Sequence, residues 1–102
     1  MSKNSYYRRR FLNKRGHHAG AYVIASVELD RRRHCDVDHD VVDATLTIAD
    51  CGRITTLDFD AYTEVEARNA LYKARLLRDV VDGFVRSLEE TVAVADLKHR
   101  GD

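Results

Sequence analysis

The chain has 102 residues, of which 44% are hydrophobic and 33% are charged, and its formal net charge is zero. A chain of this length suits one small domain with a thin core, and the absence of proline favours uninterrupted helices and strands. No apolar run approaches the roughly 20 residues of a membrane span, and no apolar segment follows the basic N-terminus as a secretory signal requires. We therefore expect a soluble, cytoplasmic protein.

The charges are unevenly distributed along the chain. Residues 1–20 contain six Lys or Arg and no Asp or Glu, whereas the rest of the chain contains 11 basic and 17 acidic side chains. This asymmetry is typical of a segment that binds a polyanion or folds back on its own domain. The sequence predicts a basic aromatic arm or short helix over residues 1–19 and a single small domain over residues 20–102.

The predicted domain begins with strands. Residues 20–30 (GAYVIASVELD) and 41–50 (VVDATLTIAD) alternate along the chain with the period of two that is typical of a half-buried strand. DCGR at 50–53 predicts a tight turn, after which residues 53–60 (RITTLDFD) form a third strand. The charged stretch 31–40 is expected to be a solvated loop.

From Thr63 onward the pattern changes to that of a helix, because apolar residues recur at spacings of three, four or six. Thr63 and Glu66 have the spacing of a capping box. The expected fold is therefore α+β: a short N-terminal helix or arm, a three-stranded antiparallel β-meander, and a long C-terminal amphipathic helix.

The predicted helix is longer than the sheet that it covers. An unbroken helix to about residue 99 would span about 55 Å, whereas a strand of eight residues spans about 26 Å. Either Gly83 breaks the helix, or a second copy of the protein covers the overhang. Glycine costs a helix only about 1 kcal/mol, which favours the homodimer. The expected interface residues are Phe84, Val85, Leu88 and Val92.

The N-terminal arm mixes cations with aromatic rings. Cations neutralise phosphates and rings stack on exposed bases, so this mixture suits single strands, RNA or a nucleoprotein complex. The expected contact residues are Arg8, Arg9, Arg10, Lys14, Arg15, Tyr6, Tyr7 and Phe11. In the alternative interpretation, Ser5 caps a short helix that ends at Gly16, and its arginines pair with the acidic domain.

A helical arm would give the order helix, three strands, helix, which resembles double-stranded-RNA-binding domains in topology. Those domains carry a lysine cluster at the start of the last helix, where this chain reads AYTEVEARNA and has the acids Glu64 and Glu66. We therefore transfer no binding residue from that family.

A second class of function is a protein-binding one. A small antiparallel sheet with one long charged helix looks like many accessory proteins of phages and mobile elements. Under this interpretation the protein would be an inhibitor or adaptor of a protein complex, acting through the long helix and the acidic domain.

Catalytic and metal-binding motifs do not stand out. His34, Cys35 and His39 form a single half-site for zinc, and strand length keeps them about 30 Å from Cys51, which also argues against a disulfide between the two cysteines. In an antiparallel meander, His17 and His18 before strand one could approach Cys51 at the other end of the sheet. We expect no enzyme activity, no cofactor and no metal.

Overall fold

The structure, a computed structural model, describes residues 5–34 and 37–97. Its elements are β1 (Ser5–Phe11), β2 (Tyr22–His34), β3 (Val37–Asp50), β4 (Arg53–Asp58) and α1 (Glu64–Val94). The strands form one antiparallel sheet in the order β1-β2-β3-β4, which is also their order in the chain. The expected α+β class, with an antiparallel meander and a long C-terminal helix, is confirmed. The sheet has four strands, however, so the expectation of three was wrong.

The fourth strand is the N-terminal segment, which was expected to be a short helix or a free arm. Every residue of β1 pairs with β2, from Ser5 opposite Glu28 to Phe11 opposite Tyr22. Aromatic side chains favour strands, and β2 offers an open edge whose backbone groups need partners. Gly16 does not end a helix but lies between β1 and β2 with φ of +94°. The topological resemblance to double-stranded-RNA-binding domains required an N-terminal helix. Because residues 5–11 form a strand, that resemblance is wrong.

The charged stretch expected as a loop is a ribbon that extends the sheet. β2 continues to His34 and β3 begins at Val37, with these two residues opposite each other. An Arg31 nitrogen lies 3.6 Å from a carboxylate oxygen of Asp40. Opposite charges on neighbouring strands stabilise such a pair. Cys35 lies outside the described residues. The predictions about a zinc half-site and a disulfide, which involve Cys35, therefore stay predictions.

The turn between β3 and β4 confirms the prediction from DCGR. Its two central residues, Cys51 and Gly52, have φ of 51° and 84°. Positive φ at both positions is what a type I′ turn requires, and this turn matches the twist of a two-stranded antiparallel hairpin. β4 is thereby aligned with β3 from Arg53 to Asp58.

Helix α1 begins at the predicted cap and runs without a break. The Thr63 hydroxyl accepts a hydrogen bond of 3.1 Å from the Glu66 N–H, and the Glu66 carboxylate accepts one of 2.7 Å from the Tyr62 N–H. The helix continues through Gly83 to Val94, so a break at Gly83 is ruled out. Its 31 residues span about 46 Å.

The core between sheet and helix is small. Among the described residues the buried hydrophobic ones are Ala21, Val41, Ala44, Ala49 and Ala61, and α1 has no buried residue. An apolar groove of about 620 Å³ separates the first half of α1 from the sheet.

One side chain fastens the helix beside this groove. The Lys73 ammonium donates a hydrogen bond of 2.6 Å to the Asp58 carbonyl and lies 4.8 Å from the centre of the Phe59 ring. The first half of α1 is thus tied to the end of β4, while its second half projects beyond the sheet. The molecule measures 67 × 25 × 22 Å.

Candidate nucleic-acid interface

The side chains of β1 divide between the two faces of the sheet. Residues directly opposite each other on antiparallel strands project to the same face. Ala25 and Val27 line the groove under α1, so their partners Arg8 and Tyr6 lie on that side, as Arg10 does by alternation. The other side, which we call the open face, receives the remaining residues of β1: Ser5, Tyr7, Arg9 and Phe11.

The open face presents rings and a cation in a row. The Tyr7 and Phe11 side chains are exposed, at 63% and 62%, and the Arg9 guanidinium lies 6.0 Å from the centre of the Phe11 ring. At 3.4 Å per residue the two aromatic positions are about 14 Å apart along the strand. A flexible strand of nucleic acid could therefore contact both rings with the cation between them.

The open face continues from β1 onto the neighbouring strands. Phe11 lies opposite Tyr22, and Arg9 lies opposite Ile24. Tyr22 and Ile24 alternate with the side chains of the apolar face, and the sequence did not predict them as contact residues. In β2, large apolar residues occupy both the odd-numbered and the even-numbered positions. This pattern indicates a strand that packs or binds on both of its faces, and it would have pointed to Tyr22 and Ile24.

Charge is graded along the sheet. Lys14 and Arg15 lie in the β1–β2 loop, which hydrogen-bonds to the β3–β4 turn through Gly20 and brings Arg53 to the same end. At the opposite end of β1, Glu28 and Asp43 are cross-strand partners. An anion is therefore attracted to the end of the sheet that holds the β1–β2 loop and repelled from the end that leads into the β2–β3 ribbon.

The cations of this region do not neutralise the domain's own acids. Among the described residues, the ion pairs join Arg31 to Asp40 and Arg68 to Glu64. None of these pairs uses the five predicted contact cations, Arg8, Arg9, Arg10, Lys14 and Arg15. Their charges are therefore available to an external anion, and the alternative of an arm that pairs with the acidic domain has no support in the described contacts.

His18 and Cys51 do approach each other beside this surface. The Cys51 sulfur lies 3.9 Å from His18 Nδ1, which also accepts a hydrogen bond of 3.0 Å from the Gly20 N–H. The hydrogen bond that the Cys51 thiol donates to the Asp50 carboxylate, then the negative charge of Asp50, then desolvation raise the pKa of the Cys51 thiol. A protonated thiol is a poor nucleophile and a poor metal ligand. Within the described ranges no group of three His, Cys, Asp or Glu could hold a metal ion.

The predicted interface residues of the helix lie elsewhere. Phe84, Val85, Leu88 and Val92 are all exposed on the second half of α1. They form an apolar surface of their own, so the structure does not join the two sets of predicted site residues into one site.

Comparison with known proteins adds no functional information. No family model matches the chain, and no curated protein or solved structure shows significant similarity to it. In the part of the chain that the structure describes, no helix has the length and apolar character needed to cross a membrane. The function must therefore be argued from the chemistry of the surface itself.

Proposed function

We propose that this protein is a non-catalytic binding protein that holds single-stranded nucleic acid, free or in a nucleoprotein complex, along β1. The observation that carries the proposal is the exposed row Tyr7, Arg9 and Phe11 on the open face of the sheet. Rings provide stacking surfaces for bases, and cations provide partners for phosphates.

The geometry favours a single strand over a duplex. The bases of a single strand can turn outward and stack on aromatic side chains, whereas the bases of a duplex are already stacked on each other. A duplex would instead need a helix or ribbon shaped for a groove, and at the base of the β2–β3 ribbon Arg31 is already paired with Asp40. Glu28 lies opposite Ser5 at the acidic end of β1, so the phosphates should contact the strand from Tyr7 toward the β1–β2 loop.

The test is fluorescence anisotropy with labelled single-stranded RNA, single-stranded DNA and a duplex, each over a salt series. Single-strand binding should fall with salt at a slope near −0.7 per neutralised phosphate, or about −2.1 if Arg9, Lys14 and Arg15 all take part. The single strands should bind more tightly than the duplex. No binding to any of the three at low salt would refute the proposal.

Two variants separate stacking from charge. Tyr7→Ala should weaken binding about tenfold without changing the salt slope, because it removes one stacking surface. Tyr72→Ala is the matched control, since Tyr72 lies on α1 and is 66% exposed against 63% for Tyr7. Arg9→Gln should instead reduce the steepness of the salt slope by about 0.7. An equal loss of affinity in Tyr7→Ala and Tyr72→Ala would contradict binding along β1.

A second candidate is an inhibitor or adaptor of a protein complex, of the accessory kind found in phages and mobile elements. The exposed apolar surface on the second half of α1 favours protein contact. In that case Phe84→Asp or Leu88→Asp should abolish activity, whereas Tyr7→Ala should leave it unchanged. A pull-down with these three variants against a defined target distinguishes the two candidates.

A further inference from the structure

The chain exposes far more surface than a compact monomer of its mass. Its accessible surface is 8982 Å², whereas a compact monomer of 11.7 kDa exposes about 5,900 Å². The difference of about 3,100 Å² is several times the 800 Å² or so that each partner buries in a standard protein interface. The excess exposed surface is therefore large enough for the interface of a stable dimer.

The apolar groove and the helix overhang belong to one continuous surface. On α1 the groove is lined by apolar residues and, at its border, by Arg78 and Asp82; the apolar ones are Ala67, Ala70, Leu71, Ala74, Leu77 and Val81. Steps of three and four residues carry the same stripe on to Val85, Leu88 and Val92, which lie beyond the sheet. We call this stripe the seam. The first half of the seam borders an unfilled groove, and none of the described residues covers its second half.

We propose that two copies of the chain pair through α1 in antiparallel orientation, so that the overhang of each helix fills the groove of the other subunit. The two-fold axis passes close to Phe84 and Val85. This pairing is independent of nucleic-acid binding, because it uses the other side of the sheet.

The spacing of the seam supports this register. With the axis between residues 84 and 85, Val81 faces Leu88 of the partner subunit, and Leu77 faces the partner's Val92. Val81 and Leu77 both border the groove of their own subunit. Large side chains of one subunit therefore meet the unfilled space of the other, as ridges and grooves of paired helices require.

Charges beside the seam select a second copy as the occupant. Arg78 and Glu89 lie on one side of the seam and carry opposite charges, because a separation of 11 residues turns them only about 20° apart around the helix. In the antiparallel register, the two-fold axis brings Arg78 across the seam from the partner's Glu89. No ion pair among the described residues uses these two side chains. A parallel pair would instead place each charge against its own copy, which is unfavourable.

The first experiment is a molar-mass measurement by light scattering and sedimentation over a concentration series. The wild-type chain should have twice its mass of 11.7 kDa at micromolar concentration. Leu88→Asp should raise the dimer dissociation constant about 100-fold, because it places a charge in the centre of the seam. Leu76→Asp is the matched control: both leucines are 49% exposed, but a separation of 12 residues turns them about 120° apart around the helix. Leu76→Asp should change the constant less than about threefold.

Charge exchange keeps the proposal testable if Leu88→Asp fails to fold. Arg78→Glu should weaken the dimer about tenfold, because it opposes the partner's Glu89 with a like charge. The double variant Arg78→Glu/Glu89→Arg should restore the dissociation constant of the wild type. A double variant no tighter than Arg78→Glu would overturn the proposed register.

Cross-linking determines the orientation of the helices. In a background of Cys35→Ser and Cys51→Ser, Val85→Cys should form a disulfide between subunits on oxidation. Ala74→Cys should not, because antiparallel helices separate its two copies by about 32 Å along the axis. Cross-linking at both positions would indicate parallel helices and refute the antiparallel arrangement.

Two other outcomes would overturn the dimer itself. One is a monomer at 100 μM, roughly the upper end of a useful concentration series, since seam burial of this extent should give much tighter association. The other is a monomer that takes up an apolar fluorescent dye, which would make the groove a small-ligand site. A dimer that Leu88→Asp and Leu76→Asp weaken equally would place the interface away from the seam.

Discussion

The spacing of Tyr7 and Phe11 shows why the sequence predicted which residue types lie near the N-terminus but not whether they lie on a helix or a strand. Positions separated by four share a face in a helix, where four residues make about one turn, and also in a strand, where the period is two. The spacing of the two rings therefore could not distinguish the predicted helix from the observed strand. Arg9 distinguishes them, because a residue two positions away leaves the face in a helix and shares it in a strand. The structure places Arg9 against Phe11.

The Cys51 thiol provides a pH-dependent prediction. The hydrogen bond that the thiol donates to the Asp50 carboxylate and the negative charge of Asp50 raise the pKa of the thiol, so at a given pH less thiolate is present than in an ordinary cysteine. Asp50→Asn should lower that pKa and move the alkylation profile to lower pH. Iodoacetamide modification followed by mass spectrometry across pH 7 to 10, in a Cys35→Ser background, measures it. Asp79→Asn on α1 is the control, and an unmoved profile in Asp50→Asn would show that the carboxylate does not control the thiol.

At the scale of an element, α1 was predictable because its determinants are local. Thr63 and Glu66 cap it as their spacing predicts, and the apolar period continues through Gly83. The β3–β4 hairpin was predictable for the same reason, since Gly52 lies in the turn that connects the two strands. These features need only neighbouring residues, so one sequence contains enough information to find them.

The elements that were missed depend on partners distant in the sequence. β1 is a strand because the edge of β2 accepts it, which no local pattern in residues 5–11 reveals. The ribbon at the end of β2 contains many charges, and Arg31 is accommodated because Asp40 lies opposite. That pairing becomes visible only when the register of the hairpin is known. The sequence pointed to the basic and aromatic residues of β1 as contacts, but it did not reveal that they divide between two faces or that Tyr22 and Ile24 continue the open face.

The glycine within α1 provides a stability prediction. A methyl group at Gly83 would meet no atom within 4 Å, and the backbone there is helical. Gly83→Ala should therefore raise the free energy of unfolding by about 1 kcal/mol, as measured by urea denaturation. Gly52→Ala is the contrasting variant, because φ of 84° in the β3–β4 turn strains any residue with a side chain. It should lower the free energy of unfolding by about 1 kcal/mol or more. A loss of stability in Gly83→Ala would indicate a contact at this position.

At the scale of the whole molecule, shape and stability are connected. The radius of gyration is 18.8 Å, against about 13 Å for a compact domain of 100 residues. An extended chain with five small buried hydrophobic residues among those described has little core of its own. Under the proposed dimer, most of its stability should then come from surface that the second copy covers.

This dependence should be visible in unfolding experiments. For a folded dimer that unfolds to single chains, each tenfold rise in protein concentration adds about 1.4 kcal/mol to the apparent free energy of unfolding. The thermal midpoint of the wild type should therefore rise with concentration, as measured by circular dichroism over a hundredfold range. The midpoint of Leu88→Asp should be lower and independent of concentration. A wild-type midpoint that does not move would contradict stabilisation by a second copy.

The agreement between strand order and chain order has a consequence for synthesis on the ribosome. Each strand pairs with its neighbour in the sequence, so the sheet is complete once Asp58 has been made. Hairpins form in microseconds, whereas adding the 36 residues up to Val94 takes about 2 to 7 s at 5 to 20 residues per second. For that period the apolar side of the nascent sheet has no helix against it. Molecular chaperones therefore have seconds in which to bind this chain before it reaches its final form.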